Sequence, residues 1–331
     1  MNPTTPFVPR LKAGARPVAC VDIGGTKVAV SIADEHGLRG QCTEPTVKQG
    51  AANVLAEQII RLIGQSCTSA GVTSTGLAAV GVSSCGPFVL KGGLVELAAP
   101  NICGGLAGKA RGLPNDWTTA PLEAPLRAVF GIVRVENDCI GALEAERRWG
   151  SLQIDGQALA NCAYVTWSTG VGVGLCVDGR VLRGKNGNAG HAGHSFVSDN
   201  IDALCGCGNV GDVEALVAGN AIPRRFGDQG FVESAMLFIA AKAGQAGALT
   251  IVDELCRVMG RNLYNLVVTL DLQRISMGGS LFWHHREFLL PKLQAQMSGK
   301  LTALTDGVEL VPAGLGEKVG DYGALALVID A

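Results

Sequence analysis

Apolar and polar positions along the chain change period several times, and each change marks an element. Residues Val18 to Val21 are continuously apolar, Gly24 and Gly25 interrupt, and a second apolar run follows from Val28 to Ile32. Short apolar runs split by a glycine bend predict a β-hairpin. Leu55, Ile59, Leu62 and Ile63 then recur at helical spacing, and Ala78 to Ser83 reads as a buried strand. Gly131, the run Ile132 to Val135 and the Ala/Glu-rich stretch Cys139 to Trp149 predict helix end, strand and helix in turn.

The second half repeats this opening in outline. Ala163 to Trp167 is strand-like and enters Ser168-Thr169-Gly170-Val171-Gly172-Val173-Gly174, and Leu175 to Val177 with the Asp178-Gly179 turn continue as β structure. A strand, glycine turn and strand occurring twice predicts two related α/β halves. Helical patterns follow over Val232 to Ala243 and Ile251 to Leu270, then a short strand into Met277-Gly278-Gly279 and a helix to about Met297. Residues 184–211 lack periodicity but are rich in His, Cys, Asn and Gly, which points to a functional or metal-stapled segment.

Length and composition narrow the class. The 331 residues fit two domains of about 150 each. With 47% apolar and 17% charged residues the chain is globular and unlike a disordered one. Twenty-seven basic and twenty-nine acidic residues leave a formal charge of −2, so no bulk field draws the protein to nucleic acid or an anionic membrane. Residues 1–16 carry three prolines and no periodicity; they predict a loose, flexible lead, too short for a DNA-binding helical domain. The eleven cysteines are odd in number and scattered through element-like runs, which argues against a disulfide framework. No uninterrupted apolar stretch of about 18 residues occurs, and the expected location is the reducing cytoplasm.

Four clusters carry chemistry. Asp22-Ile23-Gly24-Gly25-Thr26-Lys27 offers backbone amides to phosphate oxygens, beside a carboxylate able to hold hydrated Mg²⁺ and a hydroxyl donor. An ordinary hairpin bend is the alternative. Thr169-Gly170-Val171-Gly172 offers a second set of amides. Gly170, Gly172 and Gly174 do not open a helix, so they are not a dinucleotide fingerprint. The Gly-Lys pairs at Lys109, Lys185 and Lys300 lack the Ser or Thr of a Walker A loop. Asp138, in Glu136-Asn137-Asp138, falls at the carboxyl end of a predicted strand, where it could accept a proton from a sugar hydroxyl, cap the next helix, or do both. Met277-Gly278-Gly279-Ser280 could lay bare backbone against adenine or ribose, although a strand-to-helix turn explains it equally well.

The fourth cluster is Gly187-Asn188-Ala189-Gly190-His191-Ala192-Gly193-His194 with Cys205-Gly206-Cys207 and Asp212-Val213-Glu214. His194, Cys205 and Cys207 are nitrogen and sulfur donors of the kind Zn²⁺ takes, and Asp212 would complete a tetrahedron with oxygen.

In this order the motifs resemble the ROK family of sugar kinases and sugar-responsive repressors. The carriers are DIGGTK at Asp22, CGP at Cys85, APN at Ala99, VENDC at Val135, STGVGVG at Ser168, GNAGHAGH at Gly187, CGCGNVGDVEA at Cys205 and MGGS at Met277. The resemblance runs from Val18 to the C-terminus. It implies the two-domain actin-like ATPase (ribonuclease H-like) α/β fold, with duplicated mixed sheets and an interdomain cleft. The expected smaller domain is 17–136, joined by a C-terminal helix over 318–331; the larger is 137–317, with a zinc loop at 187–214. It also implies ATP·Mg²⁺-dependent phosphorylation of a small-molecule sugar, usually at the 6-hydroxyl, with a structural Zn²⁺ and usually a homodimer. Asp138 matches the general base. Gly86, Asn101, Asn137, His194 and Glu214 match sugar-site positions. Asp22, Gly24, Gly25, Thr26, Thr169, Gly170, Gly278 and Gly279 match nucleotide positions.

Three departures bear on specificity. His191 stands where the family usually has a sugar-binding Glu, a feature shared with bacterial N-acetylmannosamine kinases, and it moves the expected substrate toward an N-acylhexosamine; glucose is the alternative. Asp212 replaces the third zinc cysteine. The family's Pro-Asn-x-x-Gly-Trp segment becomes Pro100-Asn101 with extra residues and a second Pro114-Asn115 before Trp117, so either asparagine could meet the sugar, Asn101 being preferred for its place after the strand. A non-catalytic sugar sensor or a transcriptional regulator is the reading of a different class.

Overall fold

The bend at Gly24 and Gly25 folds Val18–Ile23 (β1) back on Lys27–Asp34 (β2), with Val18 opposite Ala33 and Ile23 opposite Val28. A computed structural model describes residues 8–106, 112–199 and 203–331 of the chain. Three expectations fall partly outside these: the N-terminal lead (residues 1–7), the extra residues before Trp117 (107–111) and the 187–214 loop (200–202). After β2 come Gly37–Pro45 (β3), Val54–Ala70 (α1), Val80–Ser84 (β4), Phe88–Lys91 (β5), Leu94–Leu97 (β6), Ala120–Pro121 (β7), Glu123–Phe130 (α2), Val133–Asn137 (β8) and Asp138–Trp149 (α3). The rest comprises Gln153–Ile154 (β9), Gln157–Ala158 (β10), Cys162–Trp167 (β11), Val171–Val177 (β12), Arg180–Val181 (β13), Val213–Val217 (α4), Ala221–Phe226 (α5), Ser234–Lys242 (α6), Ala246–Leu270 (α7), Arg274–Gly278 (β14), Ser280–Met297 (α8), Thr302–Thr305 (α9), Glu309–Pro312 (β15) and Val319–Ala326 (α10).

Two compact units result. The first holds the chain up to Ala145, the strap Arg183–Ala189 and Lys318–Ala331. Its sheet runs β3-β2-β1-β4-β8, antiparallel between β3, β2 and β1 and parallel through β4 to β8. Leu55, Ile59, Leu62 and Ile63 of α1 are fully buried in its core with Val21, Ile32 and Val82. Each such side chain contributes about 1.5–3 kcal/mol of apolar burial. This unit ends later than the expected boundary at Glu136. β8 runs directly into α3, and Gly141 of α3 meets Gly323 of α10 so closely that an added Cβ would stand 3.3 Å from the Gly323 backbone. Residues 8–16 are not a loose lead: Leu11 is buried and donates its N–H to Asp34 O (3.0 Å), and Arg16 donates to Leu77 O (2.6 Å).

The second unit, Glu146–Leu182 with Gly190–Glu317, has the sheet β13-β12-β11-β14-β15. It repeats the first: an antiparallel hairpin, then parallel neighbours, with Ala163 paired to Leu175 and Ile275. The predicted helices appear as α6, α7 and α8, with α7 starting earlier than the apolar period indicates. Glu146 is wholly buried there. Its carboxylate accepts from Ser151 N (2.9 Å) and Oγ (2.8 Å), Ser276 Oγ (3.0 Å), Gly314 N (2.9 Å) and Leu315 N (2.9 Å), which offsets its desolvation.

Candidate functional site

In the first unit the candidate residues collect at the carboxyl ends of β1, β4 and β8, the edge where open α/β sheets bind ligands. The parallel register sets Asp22 beside Ser83 and Ser84 beside Asn137. Asp138 follows at the head of α3. Its Oδ1 and that of Asn137 both accept the Cys139 N–H, at 2.8 and 3.0 Å, so the two side chains share one helix-terminal donor. Asp138 is the first residue of α3, and Asn137, before it, holds the N-cap position expected of Asp138. Burial, then the Asp138 and Asp321 carboxylates, push Asp22 up to about 7 against the opposing pull of Lys27. A carboxylate so crowded by negative charge is suited to a divalent cation.

Thr46 ties the β1–β2 bend from beneath, donating its N–H to Thr26 O (3.0 Å) and its hydroxyl to Gly24 O (2.7 Å). Asn101 lies over the bend: a Cβ on Gly25 would stand 2.2 Å from its Nδ2, so a larger residue there would displace the Asn101 side chain. Asn115 is otherwise engaged. Its Oδ1 accepts from Gly104 N (2.7 Å) and Trp117 N (3.1 Å), and its Nδ2 donates to Lys48 O (2.9 Å) and Ile102 O (3.0 Å). All its hydrogen-bonding capacity is spent on the loop, which leaves Asn101 as the exposed asparagine. Gly86 precedes Pro87 across a cis peptide bond at the end of β4.

In the second unit Thr169 and Gly170 form the β11–β12 turn. Glu214 reaches it, its Oε2 accepting the Val171 N–H at 2.9 Å, and a Cβ on Gly170 would meet that oxygen at 2.6 Å. Ser168, Thr169, Gly219, Asn220, Phe238, Ser280, His284 and His285 line a cavity of about 330 Å³ beside the turn. Most of these escaped the sequence reading, because α5, α6 and α8 bring them together from distant segments. The His285 ring stacks on Phe238 with centroids 4.2 Å apart, and burial holds it down to about 4, so it is neutral. Gly278 and Gly279 serve close packing: a Cβ would fall 2.2 Å from Tyr164 Oη at the first and 2.5 Å from Trp167 O at the second.

His194, Cys205, Cys207 and Asp212 converge, their donor atoms all within 4.8 Å of one another. His194 Nδ1 is 3.3 Å from Asp212 Oδ2 and 3.6 Å from Cys205 Sγ, and Cys207 Sγ is 3.6 Å from Asp212 Oδ2. Around a tetrahedral zinc with N and O at about 2.0 Å and S at about 2.3 Å, an N–O edge is about 3.3 Å and an N–S or O–S edge about 3.5 Å. The donor set fits that ion in both chemistry and size. Asp212 Oδ1 meanwhile accepts from Ala215 N (2.7 Å) and caps α4. Burial pushes Asp212 up, but hydrogen bonds from His194 and the Ala215 N–H outweigh it and hold the carboxyl below its usual range. The same hydrogen bond to Asp212 raises His194. His191 is half-buried, its ring centroid 6.2 Å from that of His194.

The ROK family model matches residues 18–331. A glucokinase of Aeropyrum pernix is 28% identical over 331 residues, covering 94% of this chain and 96% of its own. An N-acetylmannosamine kinase of Yersinia pestis is 31% identical over 266 residues, 79% of this chain and 82% of its own. Among solved structures, a ROK hexokinase from Thermus thermophilus superposes with TM-score 0.75 at 29% identity, covering 95% of this chain and 98% of that one.

Proposed function

The chain belongs to the ROK family and is an ATP-dependent sugar kinase, and from that premise we propose that it phosphorylates the 6-hydroxyl of an N-acylhexosamine of the N-acetylmannosamine type. The observation that carries the chemistry is Asp138, held at the head of α3 by the Cys139 N–H beside Asp22 and the glycine bend. As general base it takes the proton of the attacking hydroxyl while the oxygen closes on the γ-phosphorus. Asn137 orients the sugar. The amides at Gly24, Gly25, Thr26, Thr169 and Gly170 bind the phosphates, and Asp22 would hold the magnesium, which neutralises charge on the transferred group. The cavity of Asn220, Phe238 and His285 is of a size and polarity for the nucleoside.

Zinc would be held by His194, Cys205, Cys207 and Asp212, and it supplies a fixed scaffold. With Nδ1 committed to that cluster, His194 offers Nε2 to a sugar hydroxyl. Glu214 Oε2 holds Val171, while Oε1, with only a long 3.9 Å contact from Cys205 Sγ, offers itself to the same purpose. Gly86 and Asn101 are the sugar contacts supplied by the first unit. His191 supports the N-acyl preference: a carboxylate only accepts, whereas an imidazole N–H can donate to an acyl carbonyl. Family resemblance supports a homodimer acting in the cytoplasm on small molecules alone. No single helix among the described residues is long and apolar enough to cross a membrane.

The test is a coupled ADP-release assay with Mg·ATP and glucose, mannose, fructose, N-acetylglucosamine and N-acetylmannosamine. The expected order puts an N-acylhexosamine first in kcat/KM. A preference for glucose replaces the substrate with that of a glucokinase, and tight sugar binding with no ADP from any sugar makes the chain a sensor.

A further inference from the structure

The strap Arg183–Ala189 packs with the first unit through two side chains. Arg183 Nε donates to Glu136 Oε1 at 2.5 Å, one residue before Asn137 on β8. Asn188 does more: its Oδ1 accepts the Phe88 N–H at 2.7 Å and its Nδ2 donates to Phe88 O at 2.7 Å. A single amide side chain thus meets both main-chain groups of one residue, the pairing that a neighbouring strand would make. Phe88 begins β5 and is buried, and on its other edge β5 pairs with β6, Phe88 opposite Leu97. Pro87 O accepts from Ala98 N at 2.9 Å. The segment between β4 and β5 therefore has its outer edge secured by Asn188, which comes from a hundred residues further along the chain.

We propose that Asn188 is a positioning residue for sugar binding: it fixes Gly86-Pro87-Phe88 so that the Gly86 backbone stands where the sugar needs it. This rests on the kinase reading and on Gly86 as a sugar contact. No glycine or serine could replace the amide, since neither spans both groups of Phe88. Aspartate would keep the acceptor for Phe88 N–H and set a carboxylate oxygen against Phe88 O. The effect is local, because the site of phosphoryl transfer at Asp138 and the nucleotide bend at Gly24–Thr26 are held by other bonds.

The experiment compares full-length wild type with Asn188→Ala and Asn188→Asp, reading sugar KM, Mg·ATP KM, kcat and amide exchange at Phe88. Asn188→Asp, which loses one of the two hydrogen bonds, is expected to raise sugar KM by about tenfold, and Asn188→Ala, which loses both, by at least as much, with Mg·ATP KM unchanged in each. Exchange at Phe88 accelerates in Asn188→Ala and stays slow in Asn188→Asp, which retains the acceptor. Unchanged sugar KM in both variants overturns the proposal, and so does an equal rise in both KM values, which marks general loosening. A wild type that phosphorylates no sugar refutes the kinase reading instead. The exchange measurement needs no substrate and still judges the clamp: Phe88 protection unaffected by Asn188→Ala overturns it.

Discussion

Asp212 turns one carboxylate oxygen to the Ala215 N–H and the other to His194 Nδ1, at 2.7 and 3.3 Å. One side chain thus caps α4 and joins the His194–Cys205–Cys207 donor cluster, which a thiolate does less well because sulfur is a weak acceptor for the backbone. Asp212→Asn separates the roles. The amide oxygen still caps, while its NH₂ cannot ligate. Protein purified without chelator should carry about one zinc per chain; the variant should carry far less and lose it faster to a chromogenic chelator. Full zinc in Asp212→Asn would show that the carboxylate is no ligand.

Asp138 sits at the start of α3 with a backbone donor already engaged, so the isosteric substitution Asp138→Asn keeps the hydrogen bond to Cys139 N. The capacity to take a proton is lost, together with the negative charge that helps push Asp22 up. The expected fall in kcat is about 10²–10⁴-fold, with the sugar dissociation constant from calorimetry within about threefold of wild type. A variant that turns over at near wild-type rate removes Asp138 from the role of base.

Legibility differed by the range of the interaction involved. The glycine bends, the β11–β12 turn and the convergence of the His, Cys and Asp donors are legible because each lies within a short stretch: Cys205, Cys207 and Asp212 fall within eight residues, and their donor chemistry is explicit in residue type. The repeated hairpin likewise announced the duplicated sheets. Asn188 and Glu146 were opaque, since their partners, Phe88 in one case and Ser276 and Gly314 in the other, are set by the tertiary fold. Residue pattern prefers Asn101 to Asn115 only for its place after the strand. The four hydrogen bonds of Asn115, to Lys48, Ile102, Gly104 and Trp117, support that preference, and those partners are set by the tertiary fold.

Asp22 gives a pH signature. With its carboxyl pushed up to about 7 by burial and by Asp138 and Asp321, the native state keeps a proton that the unfolded chain releases near the ordinary value of 3.8. The native state binds more protons between these limits, so Asp22's contribution to stability is full below the lower value and is lost as pH rises through the upper one. Asp22→Asn, neutral at every pH, should match wild type in Tm at about pH 4 and exceed it by several degrees at about pH 8, in metal-free and nucleotide-free buffer. An equal gap at both pH values would show that Asp22 titrates normally.

Gly190 immediately precedes His191 and has φ of 94°, a left-handed conformation that an L side chain resists. Space forbids a side chain as well: a Cβ there would stand 1.9 Å from Val173 O, and this neighbour is β12 backbone, which cannot rotate aside. Gly190 O also accepts the Val173 N–H at 3.0 Å, so the segment is stitched to the strand at the point of closest approach. Gly190→Ala must therefore lift the segment off β12, and His191 moves with it. The expected result is a loss of about 1–3 kcal/mol in urea unfolding, together with a sugar KM raised more than Mg·ATP KM. Zinc content should fall less than in Asp212→Asn, because Cys205, Cys207 and Asp212 lie beyond the displaced residues. If Gly190→Ala left both stability and sugar KM unchanged, the close packing of His191's segment on β12 would be wrong.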